Sequence, residues 1–388
     1  MTLPSQDRNY SGAMLNSRHT PQTKPTTNWG SDLNPNSDDF AAKITDRLLQ
    51  TANENGASDL HLDSLAEGLI IRMRAKGLLS TLANVPYGQT SQVIARIKSL
   101  AGMLTYRTDV PQEGRLSLAS GADARVCTLP TLHGERLAIR FSVSQTQQWQ
   151  LEDLGLRPCV LDKLKLSLDS ASGVVLVCGP AGSGKTTTAY AILQKLANAD
   201  SNIRRCLVSL EDPIEQVIDG VSQSQIQPNV GFDWASGLKA ILRQDPEVML
   251  IGEIRDAETA RVVFQAAATG QLVVSTMHAR SVADAVARLI DMDVPKHQIL
   301  SALLLLIAQR LVRTNAKSSS NRDRILLVEE LPQLESQLRE AILSEGGAER
   351  IEAAAIAQGM RPLREIAMES LERCELDEIA FRRHFQLS

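Results

Sequence analysis

The sequence has few aromatics, no paired cysteines, no long apolar run and no large excess of either charge. Aromatic residues make up 3% of its 388 positions. That is too few for the stacking platforms on which single-stranded nucleic acid lies. The formal net charge is −4, which argues against wholesale coating of nucleic acid, so no nucleic-acid partner is expected. The five cysteines, Cys127, Cys159, Cys178, Cys206 and Cys374, are scattered without a C-x-x-C pair. Neither structural zinc nor a disulfide framework is expected from such spacing, and a reducing cytosol fits. Cys178 and Cys206 fall in apolar strand-like runs and read as small core residues. No secretory signal is visible at the start. The longest purely apolar run, residues 302–308, is far short of the ~20 residues that span a bilayer. Gln309, Arg310 and Arg313 follow at once. The run therefore reads as a buried helix, and membrane association is expected only through a partner.

What is present centres on Gly179-Pro180-Ala181-Gly182-Ser183-Gly184-Lys185-Thr186. This fits G-x-x-x-x-G-K-[ST], the phosphate-binding loop. Residues 173–178 before it are apolar and β-branched, as in a buried strand. Residues 187–196 after it, starting at Thr187, read as a helix. A strand, a glycine loop and a helix N-terminus together make an anion site, because backbone N–H groups converge and the helix dipole favours negative charge. Lys185 would reach the β- and γ-phosphates of ATP, and the Thr186 hydroxyl would bind Mg²⁺.

Residues 1–38 are rich in Ser, Thr, Asn, Pro and Asp and read as a disordered tail. Residues 39–143 carry helical spacing at Phe40, Ile44 and Leu48, a helix through Val93, Ile94 and Ile97, and strand-like runs at 56–63, 69–74, 115–118, 124–129 and 136–141. A small α+β domain follows from that mixture, with residues 75–77 as a turn. A polar, Gln-rich linker is placed at 144–153. Residues 154–388 alternate apolar strands (174–178, 206–210, 248–251, 272–276) with helical patterns such as 234–243 and 257–268. That order implies a parallel α/β sheet with ligands at the carboxyl ends of its strands. A polar break at 314–321 opens a largely helical tail, about 315–388, punctuated at Pro332, at Gly346-Gly347 and at Pro362.

Strand ends deliver the chemistry. Glu211-Asp212-Pro213-Ile214-Glu215 follows a strand expected beside the phosphate loop, where its carboxylates could hold Mg²⁺ and orient a water. The alternative is a solvated acidic loop. Glu253 ends the apolar run 248–251 in the Walker B manner, touching Mg²⁺ through water. His278 follows the fourth strand and could sense the γ-phosphate or the attacking water; the alternative is a structural histidine.

Taken with Leu242-Arg243-Gln244-Asp245-Pro246, Gly252-Glu253-Ile254-Arg255-Asp256 and Ser275-Thr276-Met277-His278, these motifs resemble the secretion ATPases of type II secretion and type IV pilus assembly, including pilus retraction ATPases. Residues 57–61 and 128–136 match that family's first domain. The resemblance implies a RecA-like P-loop NTPase domain with a parallel sheet, preceded by a smaller, PAS-like α+β domain. It implies that Glu215 polarises the attacking water and that Glu253 is the Walker B acid. Arg125 and Arg140 would reach the nucleotide from the first domain; the alternative is that they are solvated strand residues. It further implies a cytoplasmic homo-hexamer at the inner membrane, working on a platform protein and a membrane-bound docking protein to assemble pilin or pseudopilin fibres. Two departures leave the subclass open. The segment after Gln309-Arg310-Leu311-Val312-Arg313 carries no four-cysteine module, and no Ala-Ile-Arg-Asn-Leu motif closes the chain. A type IV secretion or conjugation ATPase and an ATP-binding scaffold with little hydrolysis are the alternatives.

Overall fold

The computed structural model describes residues 32–75, 78–118, 123–141, 149–199, 205–315, 324–344 and 346–385. Most of the expected tail, two residues of the 75–77 turn and most of the 314–321 break lie outside them. The chain divides into two compact units between Ser144 and Gln145.

The first unit runs α1 (Phe40–Glu54), β1 (Ala57–Leu65), β2 (Gly68–Ala75), β3 (Leu78–Pro86), α2 (Tyr87–Leu100), β4 (Gln112–Ser117), β5 (Asp123–Thr131) and β6 (Gly134–Phe141). Its six strands pair antiparallel in the order β3-β2-β1-β6-β5-β4. Period-two alternation sets the faces. Leu60 and Leu62 of β1 are buried with Phe40, Ile44 and Leu48 of α1 and Val93, Ile94 and Ile97 of α2. Asp59, His61 and Asp63 alternate with them and are less buried. Strand β3 escaped the sequence reading because it opens on three exposed residues, Leu78, Leu79 and Ser80, and so lacks alternation.

One charged pair sits inside this core. Lys98 of α2 is 0% exposed, and its Nζ donates to Glu135 Oε1 at 2.7 Å, to Glu135 Oε2 at 2.9 Å and to the Arg107 carbonyl at 2.6 Å. All three ammonium donors are thus used. Removing one partner strands the other charge in a medium that cannot solvate it. Lys98→Met should therefore destabilise the first unit by about 3–5 kcal/mol, and adding Glu135→Leu should recover part of that loss. Urea denaturation followed on the first unit checks this; equal stability of wild type and Lys98→Met would contradict it.

The second unit runs from a short 3₁₀ turn at Leu151–Leu154 through α3 (Pro158–Leu168), β7 (Gly173–Cys178), α4 (Lys185–Ala197), β8 (Leu207–Glu211), β9 (Ser222–Gln225), α5 (Trp234–Ile241), β10 (Val248–Ile254), α6 (Ala257–Ala268), β11 (Leu272–Met277), α7 (Val282–Asp291), α8 (Lys296–Ala302), β12 (Leu303–Arg313) and β13 (Arg324–Glu330) to α9 (Ser336–Leu343), α10 (Gly347–Ala357), α11 (Leu363–Glu372) and α12 (Glu378–Phe385). The sheet order is β13-β12-β7-β11-β10-β8-β9, parallel except for β13. β7 is covered on both faces, as parallel strands are. Val174, Leu176 and Cys178 enter one core and Val175 and Val177 the other.

Three sequence expectations need correction here. Residues 303–308 are not helical. They begin β12 and pair in parallel with β7, because a short apolar run carries no periodicity to separate a buried helix from a buried strand. The largely helical tail after 315 also supplies β13, which adds an antiparallel edge to the same sheet. Cys206 precedes β8 and is exposed, so only Cys178 is a core cysteine. β8 is not beside the phosphate-loop strand, because β11 and β10 stand between them. Within the expected linker, Leu151 is buried in the second unit's core, as is Leu154 just after it. No helix among the described residues is long and apolar enough to cross a membrane.

Candidate active site

The site is built at the carboxyl end of the parallel sheet. After β7 the chain turns at Gly179, whose φ is +153°. A Cβ there would stand 2.4 Å from Ser183 Oγ and 2.6 Å from the Gln309 carbonyl oxygen, so only glycine fits. Pro180 and Ala181 carry the loop outward to exposed positions. Gly182 and Gly184 then adopt left-handed φ values of +74° and +87°, which close the loop onto the start of α4. No side chain caps that helix start. Its first-turn N–H groups, in the segment Lys185-Thr186-Thr187, are therefore available to an anion. Ser183 is 2% exposed, and its Oγ is buried without a hydrogen-bond partner. A closed glycine cradle, an uncapped helix start and an orphaned hydroxyl fit a bound phosphate chain.

Lys185 lies across the cradle. Its Nζ donates to the Gly179 carbonyl at 2.9 Å and to the Pro180 carbonyl at 3.1 Å. Burial pushes its ammonium below the ordinary lysine range, while the carboxylates of Glu253 and, more weakly, Glu215 oppose that shift. Incoming phosphate oxygens would replace two neutral carbonyls with charged acceptors.

Gln309 anchors the loop from behind. It is fully buried; its Nε2 donates to the Ser183 carbonyl at 2.8 Å, and its Oε1 accepts from Thr188 Oγ1 at 3.1 Å. Sequence reasoning gave it no role. The available signal was a lone amide ending the apolar run 302–308.

Glu253 lies on β10, with a side chain 16% exposed. Its Oε1 is 3.1 Å from His278 Nε2, and its Oε2 accepts from Arg255 Nε at 2.6 Å. Arg255 also donates to Asp212 Oδ2 at 3.3 Å. Thus Glu253 and His278 meet directly, and Arg255, to which the sequence analysis gives no role, links Glu253 to Asp212.

Glu211 is placed differently from the expected metal ligand. It ends β8 and is 3% exposed. Its Oε1 accepts from Ser209 Oγ at 2.5 Å and from Gln223 Nε2 at 3.1 Å, and its Oε2 accepts from the Tyr190 hydroxyl. Its oxygens are committed to neutral donors inside the fold. Glu215 lies four residues on, exposed, with its backbone N–H donating to the Tyr190 hydroxyl at 2.9 Å. No cluster of three His, Cys, Asp or Glu suited to a metal occurs among the described residues. A Mg²⁺ here would take most of its ligands from nucleotide phosphates and water, as is usual for that ion.

Arg125 and Arg140 belong to the first unit. They stand directly opposite each other on β5 and β6. Arg125 Nε lies 2.8 Å from Glu113, and Arg140 Nε lies 3.2 Å from Asp59. Both are well exposed, Arg140 at 80%.

A parallel sheet that opens a glycine cradle at one strand end and brings carboxylates to the same edge from other strands defines a RecA-like P-loop unit. The family described as "Type II/IV secretion system protein" matches residues 34–379, and the chain belongs to it. The type II secretion system ATPase E of Vibrio cholerae is 42% identical over 275 residues, which is 70% of this chain and 54% of that protein. The type IV pilus assembly ATPase PilB of Thermus thermophilus is 37% identical over 276 residues, 70% of this chain and 31% of that protein. The chain thus spans about half, or less, of the length of these relatives. Among solved structures, the ATPase DotB of Legionella pneumophila superposes with a TM-score of 0.67 at 24% identity, covering 89% of this chain and 96% of DotB. The pilus retraction motor PilT with bound ADP gives 0.63 at 22% identity, covering 87% and 96%. These likenesses establish the shared fold.

Proposed function

We propose that the protein is an ATP-hydrolysing motor that powers assembly of pilin or pseudopilin fibres for type II secretion or type IV pili. The observation that carries this reading is the cradle itself: Gly179, Gly182 and Gly184 close around the start of α4, with Lys185 laid across it and the Ser183 hydroxyl unpartnered. The phosphates would lie on residues 179–187. Thr186 would take Mg²⁺ directly and Glu253 through water, with Glu215 polarising the attacking water and His278 beside Glu253. Magnesium neutralises charge on the phosphates when bound. The working form is a cytoplasmic homo-hexamer, held at the inner membrane by a platform protein and a docking protein.

Arg125 and Arg140 supply charge to the transferred phosphoryl group when the first unit meets a nucleotide. Their present partners are surface carboxylates, and such exposed pairs are worth little, so release is easy. Two arginines directly opposite each other also repel, a cost that a shared anion would remove. Arg125→Ala and Arg140→Ala should each lower turnover by about tenfold or more, with ATP affinity falling less. Lys at either position should rescue poorly, because it lacks the planar two-point fork. Steady-state turnover, nucleotide affinity and assembly state measured on the same preparations test this. Full turnover in both alanine variants would remove the arginines from the mechanism.

The motor reading is tested in cells. Disruption of the gene should abolish fibre assembly or fibre-dependent secretion, and Lys185→Ala should fail to restore it. Intact fibres and intact secretion in the disrupted strain would overturn the reading.

A further inference from the structure

The segment that carries Glu215 has almost no backbone support of its own. Among the described backbone hydrogen bonds, none is donated by residues 212–217. Side chains hold it instead. The Ile214 N–H donates to Gln225 Oε1 at 3.2 Å, the Glu215 N–H to the Tyr190 hydroxyl at 2.9 Å, the Gln216 N–H to the same hydroxyl at 3.4 Å, and the Ile218 N–H to Gln223 Oε1 at 2.7 Å. Gln223 Nε2 returns a bond to the Gln216 carbonyl at 2.9 Å.

Tyr190 is the centre of this harness. It is 6% exposed and sits on α4, five residues after Lys185. Its O–H donates to Glu211 Oε2, and its oxygen accepts the amides of Glu215 and Gln216. One donor and two lone pairs are all that a phenol has, so this hydroxyl is saturated. Glu211 is in turn fixed on its other oxygen by Ser209 and Gln223. Burial, then the Glu211 carboxylate, push the phenol far above its ordinary range, so the proton stays on Tyr190 and the hydroxyl always donates towards Glu211.

We propose that Tyr190, backed by Glu211, is a positioning residue that fixes Glu215 relative to the phosphate loop by joining α4 to the Glu215 amide. The helix that presents Lys185 and Thr186 at its first turn thereby sets the place of the residue polarising the water. Buried Glu211 serves the catalytic carboxylate as an anchor. The inference rests on the reading of Glu215 as the water-polarising group.

Tyr190→Phe removes one oxygen and leaves the ring. In nucleotide-free protein, amide hydrogen exchange of peptides covering 212–217 should rise by about tenfold or more, while peptides covering 179–187 stay as in wild type. In turnover, kcat should fall by about tenfold or more with the KM for ATP within about twofold, because ATP is held elsewhere. On a Glu215→Gln background the same change should cost almost nothing further, since the two residues act as a unit. A merely structural tyrosine would instead lower kcat by the same factor in both backgrounds, and that result overturns the proposal. So does wild-type exchange at 212–217, or wild-type kcat in Tyr190→Phe beside an inactive Glu215→Gln. Full turnover by Glu215→Gln would remove the underlying reading and the proposal with it, a failure seen in a different variant. If Tyr190→Phe does not fold, Gln225→Leu, on strand β9, replaces it. Lower kcat at unchanged KM is then expected, and unchanged kcat overturns the inference.

Discussion

Lys185→Ala should hydrolyse ATP at about one-hundredth of the wild-type rate or less, a loss of the size seen when one preorganised charge on a transition state is removed. The expectation follows from where the lysine lies. Its Nζ is held by two loop carbonyls, at 2.9 and 3.1 Å, on the cradle's own rim. Burial lowers its affinity for a proton, and the carboxylates of Glu253 and Glu215 work against that. The lysine head group is therefore partly desolvated where phosphate oxygens would arrive. A point charge at such a place acts more strongly than it would in water. Its loss should weaken both nucleotide affinity and the chemical step, so kcat/KM should fall more than kcat. The fold should survive. Gly179, Ser183 and Gln309 shape the loop without the lysine, and Pro180, one of the two residues whose carbonyl it leaves, is exposed to water. Turnover is measured on purified protein, with thermal unfolding beside it. A stable variant that keeps near-normal turnover would remove the phosphate-loop assignment.

The division between what was legible in the sequence and what was not has a physical cause. The phosphate loop could be read because its chemistry is local: glycines at positive φ, a lysine and a threonine at a helix start, all within eight residues. Glu253 and His278 could be read because parallel strands deliver their next residues to the same edge of the sheet. The pairing of Glu253 with His278 could not be read, since β10 and β11 become neighbours only through the sheet order. Gln309 was hidden for a related reason. Read as a helix end, it would point to solvent; as part of β12 beside β7, it reaches the Ser183 carbonyl across 126 positions of sequence. Glu211 shows the limit of motif reading. Its place in an acidic motif suggested a metal ligand, yet the residue ends a buried strand and faces Tyr190 rather than solvent. Burial is a property of the packed sheet, and nothing in the run Glu211 to Glu215 distinguishes the buried carboxylate from the exposed one.

That contrast makes Glu215→Gln the sharper experiment on the chemistry. Glutamine keeps the volume and one acceptor oxygen but cannot take a proton. Because Glu215 contacts the fold through its backbone N–H on Tyr190, exchanging its side-chain head group leaves that contact in place. ATP should therefore still bind, and the segment should keep its hydrogen-exchange protection. Hydrolysis should fall by about a hundredfold or more, the usual contribution of a positioned base. Glu211→Gln is the control. It removes no group that faces solvent, and its amide can still accept from the tyrosine, so it should disturb geometry and lower turnover less than Glu215→Gln does. The two variants are compared for ATP affinity by equilibrium binding and for single-turnover rate under saturating nucleotide. If Glu215→Gln is active while Glu211→Gln binds ATP and fails to hydrolyse it, the water-polarising role belongs to the buried carboxylate. Tyr190 would then be its hydrogen-bond donor rather than the anchor of the neighbouring loop.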